Sequence, residues 1–239
     1  MQSDLSSQST EKNGKTAVDA VAVFDIKPYN LFVKRAFDII ASFFGLVVLS
    51  PVLLLTALMI QLDSRGPVFF RQTRIGRGGK MFKICKFRTM AYGGNGTGLP
   101  ITALGDTRIT RAGRFLRKYK LDELPQLFNV LRGEMSFVGP RPEVEKYVAL
   151  YNDFQKKILT VKPGITDYAS ISYIDESALL ADAQSPEETY INDILPRKIE
   201  LNMEYLTHVS LLKDIEIIFR TIFSIVKVKK GEPPWVKIQ

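Results

Sequence analysis

The sequence predicts an α+β protein: a mostly helical domain with one small β-hairpin, preceded by an N-terminal helix-break-helix that re-enters a membrane, with amphipathic helices at its interface. Three observations lead there. Residues Ile39 to Ile60 form an uncharged apolar run with Ser50-Pro51 at its middle. Two short aromatic and β-branched runs flank Gly76-Arg77-Gly78-Gly79. Apolar residues then recur at helical spacing in 124–131 and 211–223.

The 22 residues of the apolar run would reach about 33 Å as one straight helix, against a hydrocarbon core of ~30 Å. Pro51 has no N–H to bond back to Val47, and it pushes Ser50 out of helical geometry. Two arms are therefore predicted, 39–50 of about 18 Å and 51–60 of about 15 Å, each too short to cross alone. Lys34 and Arg35 precede the run and Arg65, Arg71, Arg74 and Arg77 follow it. Basic flanks are normally kept on the cytoplasmic side, so a re-entrant hairpin satisfies both ends where a spanning helix strands one. A kinked span and the core helix of a soluble domain are the other readings of the run.

The chain of 239 residues has room for one domain plus this segment. Its net charge of +8 is unevenly placed: between Gln61 and Met90 there are eight basic residues against one acid, Asp63. Such a stretch calls for a polyanion, whether nucleic acid, lipid headgroups or a diphosphate. The lone Cys85 excludes an internal disulfide and suits a reducing compartment. Residues 1–27 are polar, without a basic segment leading into an apolar one, and read as a loosely attached tail, not a signal peptide.

After the apolar run, the stretches around Gly76–Gly79 predict a hairpin; the glycines and Lys80 lack the spacing of a phosphate loop. If the second strand is extended, Phe82, Ile84, Lys86 and Arg88 share a face, aiming two cations one way. Ala91–Leu99 carries four glycines and reads as a flexible connector or a lid. Arg108, Arg111, Arg114 and Arg117 make a basic stripe on a helix, suited to solvent or to anionic headgroups.

Leu124, Leu127, Phe128 and Leu131 then mark an apolar helix face that Gly133 ends. Asp122 and Glu123 fall at its N-terminus, where the dipole favours ionised carboxylates and also attracts phosphate. An acidic N-cap is the plainer reading. In Pro140-Arg141-Pro142 the two rings stiffen the backbone around a guanidinium suited to bidentate phosphate capture. A helix is predicted from Glu143 to Leu159, then a rigid turn at Lys162-Pro163-Gly164-Ile165-Thr166. Ser185-Pro186-Glu187-Glu188 opens a further helix. Leu211, Leu212, Ile215, Ile218, Phe219, Ile222 and Phe223 predict an amphipathic C-terminal helix, packed on the domain or lying on the membrane surface. The single His208 has no second histidine with which to build a zinc set.

These stretches resemble the bacterial sugar transferases, also called monotopic phosphoglycosyl transferases. The resemblance runs from Lys34-Arg35-Ala36-Phe37-Asp38 to about Val226. It rests on Ser50-Pro51, GPVFFRQTRIG at 66–76, KFRTM at 86–90, RFLRKYKLDELPQLFNVLRGEMSFVGPRP at 114–142 and KPGIT at 162–166. The chain looks like the family's short, catalytic-core form.

The resemblance implies a UDP-sugar donor, Mg²⁺ as cofactor and undecaprenyl phosphate or a similar polyprenyl phosphate as acceptor. It places the family's acidic dyad on Asp122 and Glu123, as catalytic residues and metal ligands. Asp122 would attack the phosphorus next to the sugar and expel UMP; the lipid phosphate would then take the phosphosugar. A carboxylate nears a diphosphate only where positive charge is placed in advance, and Lys86, Arg88 and Arg141, held by Pro140 and Pro142, are the candidates. The implied setting is the cytoplasmic face of the bacterial inner membrane, at the first membrane step of a surface polysaccharide or glycoconjugate pathway such as exopolysaccharide or lipopolysaccharide synthesis.

One departure stands out. Where relatives commonly continue from KPGIT into Gly-Trp/Leu-Ala-Gln and Asn-Gly-Arg, this chain reads Asp167-Tyr168-Ala169-Ser170-Ile171-Ser172-Tyr173-Ile174, and the arginine of that segment is missing. A catalytically silent, membrane-anchored scaffold is the competing reading, and a nucleic-acid partner ranks low for want of a recognisable module. Oligomeric state stays open, with a homodimer among the options. The expected organisation is a tail over 1–27, a membrane hairpin over 28–65, a cytosolic catalytic domain over 66–230 and a C-terminal tail over 231–239.

Overall fold

The computed structural model describes residues 28–93 and 106–228, so both predicted tails and most of the glycine-rich stretch at 91–99 lie outside the described residues. The fold is mostly helical with a small antiparallel hairpin. Helix α1, Pro28–Val48, and helix α2, Ser50–Asp63, are bent by 61° at Leu49. Ser50 Oγ donates to the Val47 carbonyl at 2.7 Å, taking up one of the groups that Pro51 leaves without an N–H partner. The break falls where proline predicts it. The first arm differs: it begins at Pro28 rather than Ile39, so its 21 residues reach about 32 Å. No single helix among the described residues is long and apolar enough to cross a membrane.

The pair leaves a broad apolar surface uncovered, including Phe43, Phe44, Val48, Leu54, Leu55 and Leu62, each more than half exposed. Its two ends are tied to one body. On α1, buried Lys34 donates to the Val138 carbonyl at 2.8 Å and pairs with Asp214, while buried Asp38 accepts from Ser136 Oγ and the Phe137 N–H, both at 3.1 Å. Arg35 donates to the carbonyls of Val130 and Leu131 at 2.7 and 3.0 Å. At the far end, Asp63 accepts from the Ala112 N–H at 3.0 Å.

Strands β1, Phe69–Ile75, and β2, Met81–Phe87, pair antiparallel with Phe69 opposite Phe87 and Ile75 opposite Met81. Gly78 and Gly79 take positive φ in the turn between them, which suits glycine. Helix α3, Arg111–Lys118, is capped by Thr110, whose side chain accepts from the Gly113 N–H. Of the basic stripe, Arg108 precedes this helix and is held by Asp106, Arg117 is partly buried and donates to Thr89 Oγ1 at 2.9 Å, and Arg111 and Arg114 face outward, as does the following Lys118.

Helix α4 spans Gln126–Arg132 and buries Gln126, Leu127, Asn129 and Val130, while Phe128 is exposed. The predicted apolar stripe is thus not the buried face. Asn129 explains why: its Oδ1 accepts from the Cys85 N–H at 2.9 Å and its Nδ2 donates to the Lys83 carbonyl at 2.8 Å, stitching α4 to the free edge of β2.

A second, unexpected sheet pairs β3, Ser136–Val138, with β4, Gly164–Thr166, in parallel. The single helix predicted over 143–159 is also replaced. Helix α5 covers only Glu145–Val148, and a 3-10 stretch follows at Gln155–Thr160. Between them Asn152 and Gln155 exchange side-chain-to-backbone bonds, both 2.9 Å, and this local alternative competes with the helix ladder.

Helices α6, Tyr168–Ser172, and α7, Glu176–Ala181, lead to α8, Pro186–Thr189, and through a π turn at Tyr190–Ile194 to α9, Leu195–Thr207. Pro186 opens α8 as the sequence predicts, although Ser185 makes no side-chain cap. The amphipathic helix α10, Leu211–Val228, closes the described chain and packs on α6, β3 and α1. The main core lies among α5, α6, α9 and α10 around Tyr147, Tyr205, Leu206 and Ile217, each at most 1% exposed. A smaller cluster of Ile60, Phe87 and Leu116 joins α2 to the hairpin and α3. His208 is exposed and shares a hydrogen bond with Thr207, consistent with a solvated histidine.

Candidate active site

The site is launched by a reversal of the chain after α3. Lys120 takes the left-handed conformation (φ 54, ψ 21), the only non-glycine residue with positive φ among the described residues. Such a conformation persists only where its surroundings impose it. A single 3-10 turn, Leu121–Glu123, follows and delivers Asp122 and Glu123 beside β2.

Glu123 is gripped from two sides. Lys86 Nζ donates to its Oε1 at 2.8 Å; Arg141 donates through Nη2 to Oε1 at 2.5 Å and through Nη1 to Oε2 at 3.3 Å. The loop carrying Arg141 is held at every step: the Gly164 N–H donates to the Pro140 carbonyl at 3.1 Å, and Arg74 Nη1 donates to the Pro142 carbonyl at 3.2 Å. The Arg141 N–H donates to Asp167 Oδ2 at 3.0 Å. Gly139 and Gly164 meet backbone to backbone, so a Cβ on Gly164 would lie 2.2 Å from the Gly139 nitrogen.

The two carboxylates are driven apart electrostatically. Burial pushes Glu123 up, but Arg141 and Lys86 outweigh it and hold the carboxyl well below the usual range. Glu123 in turn raises the Arg141 guanidinium, while burial lowers Lys86 against the pull of the same carboxylate. For Asp122, burial and then repulsion from Glu123 raise the carboxyl, despite Lys86 and Lys120. Asp122 is 9% exposed and its Oδ1 accepts no hydrogen bond. The expectation that the start of α4 keeps both acids ionised is not met: both lie in the 3-10 turn ahead of that helix, Arg141 and Lys86 rather than a helix terminus hold Glu123 down, and Asp122 is raised.

The structure brings Lys86, Arg141, Pro140, Pro142, Asp122 and Glu123 together and leaves Arg88 out. Strand β2 ends at Phe87, and Arg88 turns to the end of α2, donating to the carbonyls of Ser64 at 2.6 Å and Arg65 at 2.9 Å. The predicted common face for Lys86 and Arg88 fails because those carbonyls, left open by the α2 terminus, capture the guanidinium. Ser50 and Pro51 lie at the helix break.

A cavity of about 510 Å³ opens beside the clamp, lined by Glu123 of the acidic pair. One wall is apolar, with Ala41 and Gly45 of α1, Leu49 at the helix break, Leu127 of α4 and Ile222 and Ile225 of α10; the other carries the polar residues Lys120, Arg141, Asp167, Ser170, Lys198 and Asn202. Sequence reasoning passed over Lys120, Asp167 and this second wall as site residues. For Asp167 a signal was present: it caps α6, its Oδ1 accepting from the Ser170 N–H, which matches an Asp-x-x-Ser cap. For Lys120 none was, because lysine gives no hint of positive φ.

Among the described residues no group of three or more His, Cys, Asp or Glu could hold a metal by itself. Mg²⁺ commonly uses one or two carboxylates and completes its shell with water and substrate phosphate. Asp122 Oδ1, unpartnered, and Glu123 Oε2, with one long bond, fit that small donor set.

A profile of the bacterial sugar transferase family matches residues 29–228. A UDP-N-acetylgalactosamine-undecaprenyl-phosphate N-acetylgalactosaminephosphotransferase of Aeromonas hydrophila is 39% identical over 201 residues, covering 83% of this chain and 44% of the relative. A UDP-glucose:undecaprenyl-phosphate glucose-1-phosphate transferase of Escherichia coli (strain K12) is 39% identical over 225 residues, covering 92% and 45%. An exopolysaccharide production protein of Rhizobium leguminosarum bv. phaseoli is 38% identical over 210 residues, covering 84% and 99%. The chain thus spans less than half the length of the first two and nearly all of the third.

Proposed function

The chain belongs to the bacterial sugar transferases, and from that premise we propose that it moves a sugar 1-phosphate from a UDP-sugar to a polyprenyl phosphate such as undecaprenyl phosphate, giving a polyprenyl diphosphate-sugar and UMP. The observation that carries this reading is the split acidic pair: Glu123 is spent on Lys86 and Arg141, while Asp122 keeps a buried oxygen without a partner.

In the proposed reaction an Asp122 oxygen attacks the phosphorus that bears the sugar. The bond from that phosphorus to the oxygen of UMP breaks, and UMP leaves with the electron pair. An oxygen of the lipid phosphate then attacks the same phosphorus and returns Asp122 as a carboxylate. Arg141 and Lys86 hold positive charge at the place where negative charge develops on the phosphoryl oxygens, with Glu123 fixing both cations before substrate arrives. When bound at Asp122 and Glu123, Mg²⁺ would neutralise diphosphate charge. Pro140 and Pro142 stiffen the loop so that Arg141 loses little freedom on binding.

A membrane role for α1 and α2 completes the proposal. The bent pair exposes its apolar surface while both ends bond the same body, through Lys34, Arg35 and Asp38 at one end and Asp63 and Arg88 at the other. That arrangement supports a re-entrant hairpin, with the amphipathic α10 and the outward cations of α3 at the headgroups. We assign the protein on this basis to the cytoplasmic face of the bacterial inner membrane, at the entry to a surface polysaccharide or glycoconjugate pathway. Purified protein given Mg²⁺, polyprenyl phosphate and a panel of UDP-sugars should release UMP and carry a phosphosugar on Asp122, seen by intact-protein mass spectrometry. No UMP with any donor refutes the reaction, and a phosphosugar on another residue refutes the assignment of Asp122.

A further inference from the structure

The polar wall of the cavity holds groups that the phosphate clamp does not use. Asn202, on α9, is 5% exposed and its Oδ1 accepts no hydrogen bond. Ser170, on α6, buries an Oγ that likewise has no partner. Both line the cavity alongside Arg141. Buried polar groups are nearly always paired, so two orphans on side chains that line one cavity mark a wall that a ligand completes.

The chemistry of that ligand follows from its surroundings. The charge that α9 brings to this wall is balanced, because Lys198 pairs with Glu176 and both line the cavity. An uncharged group therefore suits the end of the cavity beside Asn202. Asn202 Oδ1 can only accept, so the occupant brings O–H or N–H donors; the Ser170 hydroxyl can serve either way. Its distance from the clamp is set by one carboxylate. Asp167 accepts from the Arg141 N–H through Oδ2 at 3.0 Å and from the Ser170 N–H through Oδ1 at 2.5 Å.

We propose that Asn202 and Ser170 form the pocket for the glycosyl group of the donor and select it through its ring hydroxyls or acetamido N–H. The proposal rests on the reaction given above and names what the second wall reads. In a nucleotide sugar the hexose is joined through one oxygen to the phosphorus that is transferred. The base lies beyond a further phosphate and a ribose. A donor-seeking wall tied to Arg141 through a single side chain therefore meets the sugar first. The two 39% identical relatives are named for different sugars, which fits discrimination by a few wall side chains on a shared frame.

The test uses the full chain in detergent or nanodiscs. Calorimetry measures binding of UMP, UDP-glucose, UDP-galactose and their N-acetylamino counterparts, and UMP release gives kcat/KM for each donor. Against wild type, Asn202→Ala should weaken binding and kcat/KM for the preferred donor by about 10- to 100-fold. UMP affinity should stay within about twofold, and the ratio between donors should fall toward one. Ser170→Ala should do the same to a smaller degree, and it decides the matter alone if Asn202→Ala fails to melt cooperatively. Equal losses for UMP and for donor would assign the wall to the nucleoside and overturn the proposal, as would unchanged donor ratios. If wild type turns over no donor, the reaction fails on its own; the pocket is then judged by whether Asn202→Ala removes the affinity that UDP-sugars have beyond UMP.

Discussion

Asp122 and Glu123 share one turn, yet Glu123 receives both Lys86 and Arg141 while Asp122 Oδ1 receives nothing. Their substitutions should diverge accordingly. Asp122→Asn removes a buried charge that burial and Glu123 disfavour, so it should raise the melting temperature while abolishing UMP release. Glu123→Gln leaves two cations facing each other in a largely buried site and should destabilise by on the order of 3 kcal/mol. Thermal melts and UMP assays on the same preparations check both, and a lower melting temperature for Asp122→Asn would contradict the electrostatic account.

The pH profile carries the same asymmetry. Attack requires ionised Asp122, whose carboxyl lies above its ordinary value of 3.8. Activity should therefore be lost as pH falls through that raised value, placing the acid limb of kcat/KM above the normal aspartate range. Glu123→Gln removes the repulsion and frees Lys86, so the limb should move toward lower pH in whatever activity survives. The Glu123 contribution to stability has the opposite sign. Its carboxyl is depressed below 4.5, so the stabilisation is present above that value and disappears as pH falls through the folded value.

Lys86 and Arg88 are two residues apart and should behave differently. Lys86→Met should raise KM for the donor and lower kcat, because it removes charge from the clamp. Arg88→Met should leave donor KM within about twofold and destabilise by roughly 1–3 kcal/mol, since it removes a buried guanidinium that donates to the Ser64 and Arg65 carbonyls. Steady-state kinetics beside chemical denaturation separates the two. A donor KM that rises equally in both would return Arg88 to the phosphate site.

Topology can be read with thiols. In a Cys85→Ser background, cysteines at Tyr29 and Arg65, both exposed near the ends of the hairpin, should resist an impermeant reagent in intact cells and react together after permeabilisation. Labelling of one site alone before permeabilisation identifies a span. Adding Pro51→Ala restores a backbone donor at the break and should shift the Arg65 site toward outside labelling.

Much of this was legible in the chain. The hairpin declared itself because Gly76–Gly79 demands a turn between two strand-like runs, and the helix break because Pro51 cannot continue a ladder. What escaped depended on contacts between distant segments. The strands β3 and β4 are three residues each and exist through the approach of Gly139 to Gly164. Arg88 followed period two on paper, but an open helix end captured its side chain. The helix predicted over 143–159 gave way to a local exchange between Asn152 and Gln155 that apolar periodicity does not register. Within the site, the acid pair and Arg141 were visible as residues, whereas the assignment of both cations to Glu123 needed the folded turn at Lys120.

The seam where Gly139 and Gly164 press bare backbone together leaves the segments on either side no room to slide. A methyl group at either glycine would wedge them apart and carry Arg141 with them. Adaptation to a new substrate would therefore come from exchanging side chains along the cavity, while the joint itself stays as it is.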